Sequence, residues 1–193
     1  MNISQIKQDA PSACIVCLNC RNNGRALGIW ITAEQAAAEI DAELITYANQ
    51  AEPATYPNTE TPFTRCRKCG GDEWELADYE HTPRSCSDVR SFYENAEQLN
   101  DLYDNDDLDL INDLAACIDT GGHMTLDELI QYHENNYAGE HDNEREFAQE
   151  YAESVGDENA VPEHMRPYID WEHYARELIY DYWQSNGHYW RSV

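Results

Sequence analysis

The sequence predicts an α+β chain in several parts. A small N-terminal antiparallel sheet with one helix and a zinc site comes first, then acidic helical domains, then a short C-terminal strand. Three observations predict it. Two Cys-x-x-Cys pairs, Cys17 with Cys20 and Cys66 with Cys69, lie in a region that reads strand, turn, strand, helix. From Val89 onward apolar residues recur at spacings of three and four, the period of a helix. The charge is also divided: residues 1–71 hold 7 acids and 6 bases, residues 72–193 hold 31 acids and 6 bases. That shift places a boundary near residues 82–87. The division it suggests is 1–84, an α+β domain with a four-cysteine zinc site; 85–138, an acidic helical domain; and 139–193, a C-terminal α+β domain.

The elements follow in order. Ala13–Leu18 reads as a strand, Asn22-Asn23-Gly24 as a turn, and Leu27–Ile31 as the returning strand of a hairpin. Thr32 with Gln35 has the form of a capping box and opens a helix running to about Gln50, with Ala37, Ile40, Leu44, Tyr47 and Ala48 inward. Residues 51–65 read as a loop, Cys66 to Gly71 as a tight turn, and Trp74–Tyr79 as a strand. After Pro83, Val89, Phe92, Ala96, Leu99 and Tyr103 mark one helix. Leu110, Ile111, Leu114, Cys117 and Ile118 mark a second, stopped by Gly121-Gly122. Thr125 with Glu128 opens a third. A fourth covers about 142–155, with Phe147, Ala148, Tyr151, Ala152 and Val155 inward and Gly156 at its end. A last helix covers about 170–181, with Trp171, Tyr174, Leu178 and Tyr182 on one side, and Gly187–Val193 reads as a short strand.

Composition narrows the function. With 38 acids against 12 bases the formal charge is −26, so nucleic acid and anionic membranes are repelled over most of the surface. Hydrophobic residues at 41%, with 13 Tyr and 5 Trp, still supply a core. No run of 18 apolar residues exists, and the N-terminus lacks the form of a secretory signal, so a cytoplasmic protein is expected. Enzymatic chemistry is scarce. There is no phosphate-binding Gly loop and no nucleophile elbow; Asp104–Asp109 lacks the central Gly of a calcium loop, and His133-Glu134 lacks the second His of a zinc protease.

Four thiols in two Cys-x-x-Cys turns suit a tetrahedral Zn²⁺, and in a reducing compartment such pairs serve as zinc ligands more often than as disulfides. The expected ligands are Cys17, Cys20, Cys66 and Cys69, with a structural role, since four thiolates leave no open position for catalysis. If Cys17 and Cys20 both lay on a strand only one would face inward. Cys14, Cys86 or a His such as His81 then stand as substitute ligands.

The second signal is acidic. Residues 91–144 contain 15 acids and no Lys or Arg. Glu94, Glu97, Asp101 and Asp104 are spaced to share a helix side opposite the apolar stripe. Asp106, Asp107, Asp109 and Asp113 follow, then Asp127 and Glu128, then Glu146, Glu150 and Glu153. Like charges at i, i+4 destabilise a helix by a few tenths of a kcal/mol each, so a solvated face alone explains this run poorly. Duplex DNA carries about one charge per 1.7 Å, so 26 charges correspond to about 44 Å of duplex, or about 13 base pairs. An elongated array of such helices would imitate that charge density.

Several segments resemble the ArdA-type antirestriction proteins of plasmids, transposons and phages. They are Cys17-Leu18 with Asn22 to Ile31, Asp72 to Glu80, and Val161-Pro162 with Tyr168 to Leu178. The resemblance implies an elongated three-part α+β protein, usually a homodimer, that mimics bent B-DNA. It implies that the chain occupies the DNA groove of type I restriction–modification enzymes in a bacterial host and binds no nucleic acid itself. The Cys-x-x-Cys pairs depart from that family's pattern, in which positions such as Asn19-Cys20-Arg21 hold small residues followed by an aromatic; the zinc therefore rests on the cysteines alone. The function expected is non-enzymatic inhibition by DNA mimicry. The rival is a zinc-ribbon adaptor or transcriptional regulator with an acidic interaction domain, and a zinc hydrolase is a distant third.

Overall fold

The computed structural model describes residues 9–24, 28–38, 66, 69–71, 73–118 and 124–192. Two compact units divide the chain: Met1–Asn112 with Gly122–Leu126, and Asp113–Gly121 with Asp127–Val193. The architecture is mixed α+β, as expected from the sequence.

The first unit is built on a three-stranded antiparallel sheet. Its central strand β1 (Ser12–Cys17) lies between β2 (Gly28–Thr32) and β3 (Trp74–Glu80). Ala13, Ile15, Val16 and Cys17 are all buried, so β1 is covered on both faces and reads as a continuous apolar run rather than an alternation. β1 ends at Cys17, one residue short of the predicted Leu18. The hairpin connection is also longer than a tight turn, because Leu18–Asn22 forms the short helix α1. Thr32 caps α2 (Ala33–Ala37) with both hydrogen bonds of the capping box, Gln35 N to Thr32 Oγ1 at 3.2 Å and Thr32 N to Gln35 Oε1 at 3.0 Å. The remainder of that predicted helix, the loop 51–65 and the Gly121-Gly122 stop lie outside the described residues.

The predicted helix from Val89 to Tyr103 is two helices, α3 (Val89–Glu94) and α4 (Ala96–Asp104). Asn95 separates them at φ −107°, ψ 9°, and its side-chain amide donates to the Ser91 carbonyl at 2.7 Å. A short amide side chain that competes for helix carbonyls is the ordinary cause of such a break. The apolar stripe survives it: Val89, Phe92, Ala96 and Leu99 are buried, and α2 packs on α3 and α4. α5 (Leu108–Ile118) begins two residues before the predicted stripe, and the boundary between the units falls inside it. α6 (Leu126–Asn136) opens directly after Thr125.

The C-terminal part corrects the sequence reading most. In place of one short strand there is a second antiparallel sheet of order β4-β6-β5, made of β4 (Tyr137–Glu140), β5 (Tyr182–Ser185) and β6 (His188–Arg191). Tyr182 therefore starts a strand; the last helix, α9, covers Trp171–Leu178 and passes into a 3₁₀ turn at Ile179–Asp181. α7 (Glu144–Val155) is capped by Asn143 and ended by Gly156 in the left-handed region. It packs against α9. The Phe147 ring stacks on Tyr189 at 4.3 Å and meets the edge of Tyr182 at 4.8 Å. Val155, expected inside, is 51% exposed, because the helix ends there. Short α8 (Asp157–Ala160) and a 3₁₀ helix (Glu163–Tyr168) lead to α9. No helix among the described residues is long and apolar enough to cross a membrane.

Candidate metal centre and acidic faces

β1 delivers Cys17 at its last residue, and α1 then swings Cys20 to the same side. This answers the alternation problem of a pure strand, in which Cys20 would point away. Cys66 and Cys69 come from the turn before β3. Gly70 N–H donates to the Cys66 carbonyl at 2.6 Å and Cys66 N–H to the Gly71 carbonyl at 2.8 Å. Leu18 N–H donates to the Glu73 carbonyl at 3.0 Å, which joins the start of α1 to the approach to β3. The Arg21–Glu75 ion pair at 2.7 Å adds a second, exposed tie.

The four sulfurs lie within 4.8 Å of one another. The pairs at hydrogen-bonding distance run across the two motifs: Cys17 with Cys69 at 3.5 Å and Cys20 with Cys66 at 3.5 Å. A tetrahedral ion with metal–sulfur bonds of about 2.3 Å needs sulfur separations of about 3.8 Å, which this range brackets. Cys17, Cys20 and Cys66 are buried, Cys69 is half-buried, and Trp74 packs against the set. Burial, with thiol hydrogen bonds added, pushes Cys17 up to about 11 and Cys20 up to about 12. Burial also acts upward on Cys69, but the Gly71 N–H at 3.4 Å and the three neighbouring thiols donate to its sulfur and hold it at about 7. Cys69 is thus shifted toward the thiolate, the form that binds a soft cation, while burial keeps Cys17 and Cys20 protonated until a cation displaces their protons. Cys14, Cys86 and His81, the substitutes considered from the sequence, are not in it. Four cysteines close enough to hold a metal ion are what the geometry provides.

The acidic residues fall in both units. Glu94, Glu97, Asp101, Asp104, Asp106, Asp107 and Asp109 belong to the first, Asp113, Asp127, Glu128, Glu146, Glu150 and Glu153 to the second. All are exposed except Asp113 and Glu146, which are half-buried. These two have internal roles: both Asp113 oxygens accept from Asn186 Nδ2, at 2.9 and 3.0 Å, and Glu146 accepts from Asp142 N–H at 2.9 Å. Glu94 pairs with Arg90 at 2.7 Å, one turn back and just outside the stretch without bases. Asp104 accepts from Asn100 at 3.1 Å, and Glu150 lies 3.6 Å from His141 Nδ1. On α3 and α4 the acids occupy the side away from buried Phe92, Ala96 and Leu99, as the spacing predicts.

A family model described as antirestriction protein (ArdA) matches residues 13–189, nearly the whole chain. The chain belongs to the ArdA antirestriction family. The match takes in both compact units, both Cys-x-x-Cys pairs and the acidic helices. ArdA proteins act in antirestriction, which implies restriction–modification enzymes as the partners. No curated protein matches the chain. Sequence reasoning missed the second ArdA sheet although Asn186-Gly187, a two-residue hairpin signal, stood between its strands.

Proposed function

We propose that this ArdA protein is an acidic DNA mimic that inhibits type I restriction–modification enzymes by occupying their DNA-binding groove. The observation that carries the reading is the run of residues 91–144, with 15 acids and no Lys or Arg. The carboxylates from Glu94 to Glu153 stand in for phosphates and act collectively. Each solvated charge contributes well under about 1 kcal/mol alone. Summed against a basic channel, they steer association and make it strongly salt-dependent. The active form is a homodimer in the bacterial cytoplasm, arranged in the three parts 1–84, 85–138 and 139–193, and it binds the type I restriction–modification complex or its methyltransferase core rather than nucleic acid. The four cysteines hold a structural Zn²⁺, which ties β1 and α1 to the turn before β3. The soft, closed tetrathiolate set favours zinc.

The test is competition with duplex DNA for a type I methyltransferase, titrated at several salt concentrations. Inhibition that weakens steeply with salt supports mimicry. A single carboxylate substitution that abolishes inhibition in a folded dimer would replace mimicry with a discrete hot spot.

A further inference from the structure

The cysteine cluster supports a reaction as well as retention of an ion. We propose that it is a peroxide-responsive metal centre whose first oxidation product is a Cys17–Cys69 disulfide, formed across the two motifs with release of the metal. This rests on the metal reading above.

Two geometric facts order the chemistry. Cys69 is the one ligand of the four with solvent access; Cys17, Cys20 and Cys66 are 0%, 1% and 0% exposed. The sulfur 3.5 Å from Cys69 belongs to Cys17, in the other motif, while Cys20 and Cys66 face each other at the same distance. Hydrogen peroxide therefore meets the Cys69 thiolate first. Sulfur attacks one peroxide oxygen, the O–O bond breaks, and Cys69 becomes a sulfenic acid with hydroxide leaving. The Cys17 thiolate then attacks the Cys69 sulfur and expels a second hydroxide. Two thiolates have lost two electrons and one peroxide has gained them. A tetrathiolate ion left with two sulfurs loses its closed site and departs. A second peroxide converts Cys20 and Cys66 in the same way.

Because both disulfides run across the motifs, they keep α1 and the end of β1 joined to the turn before β3 after the ion has gone. A disulfide inside either motif would close only a short loop and leave these segments untied.

The experiment uses the full chain, purified without chelator and treated with one and then two equivalents of hydrogen peroxide. Released metal is read with a chromogenic chelator, disulfides by peptide mapping under non-reducing conditions, and secondary structure by circular dichroism. The expected result is metal release beginning with the first equivalent, Cys17–Cys69 as the leading disulfide, Cys20–Cys66 after the second, and an unchanged dichroism spectrum. Reduction and added zinc should restore the starting state. A first disulfide within a motif, or one involving Cys14, Cys86 or Cys117, overturns the inference. So does metal retained at a tenfold excess of peroxide. A reduced chain that neither carries nor takes up zinc overturns the metal reading itself, and this inference with it.

Discussion

Gly187 shows how much one residue without a side chain decides. With Asn186 at φ 47° and Gly187 at φ 87°, the pair forms the two-residue turn between β5 and β6. A Cβ on Gly187 would stand 3.2 Å from the His141 carbonyl oxygen, and its own carbonyl accepts from His141 N–H at 2.9 Å. Gly187→Ala is therefore expected to cost about 1–2 kcal/mol, from the strained φ and the tight contact together. Chemical denaturation measures it, and an unchanged midpoint would contradict the turn geometry. Gly71 acts by close approach instead, since a Cβ there would lie 3.1 Å from Asn19 Cβ and 3.3 Å from Cys69 Sγ. At the cysteines themselves, Cys66→Ser with Cys69→Ser should abolish the metal and loosen the first sheet. The later helices should stay folded, as read by metal analysis and by amide exchange resolved along the chain. Loss of all helical signal in that variant would show that the parts do not fold independently.

Among the elements, α4 carries an internal conflict that separates stability from function. Glu97 and Asp101 are both exposed one turn apart on this nine-residue helix, and like charges at that spacing oppose helix formation. Glu97→Gln with Asp101→Asn should raise stability by a few tenths of a kcal/mol and weaken inhibition modestly. A thermal melt and the competition titration read the two effects, and a melt shifted downward would mean that these carboxylates have stabilising partners. The helical elements were the most legible from sequence, because Val89, Phe92, Ala96 and Leu99 keep one stripe even where Asn95 breaks the helix. The strands of the second sheet were not. β4 is four residues containing Gly139, and β5 follows the last helix with only a 3₁₀ turn between, so neither shows an isolated alternating run. The cysteine cluster was legible from spacing alone, but α1, which aims Cys20 at the other three, is five residues with no side-chain cap and leaves no periodic signal. For the acids, exposure was read correctly in most cases. Sequence reasoning missed that Asp113 and Glu146 are drawn into hydrogen bonds with Asn186 and the Asp142 backbone.

At the scale of the whole molecule the dominant quantity is a formal charge of −26 on 193 residues. Exposed pairs such as Arg21–Glu75 and Arg145–Glu172 offset little of it, since surface ion pairs contribute about 0–1 kcal/mol. Self-repulsion should therefore outweigh pairing, and stability should rise as salt shortens the screening length to about 10 Å at 0.1 M. A melting temperature that falls between low and moderate salt would overturn this. The order of the first sheet, β2-β1-β3, has a further consequence in time. Its central strand is made first and can pair with β2 at once, but Cys66 follows Cys20 by 46 residues. At about 5–20 residues per second, a ribosome takes about 2–9 s to add that stretch. During this interval the nascent chain presents a half-finished sheet with one open edge and two thiols awaiting partners. The third strand and the second thiol pair then arrive within a few residues of each other, so one docking event closes both.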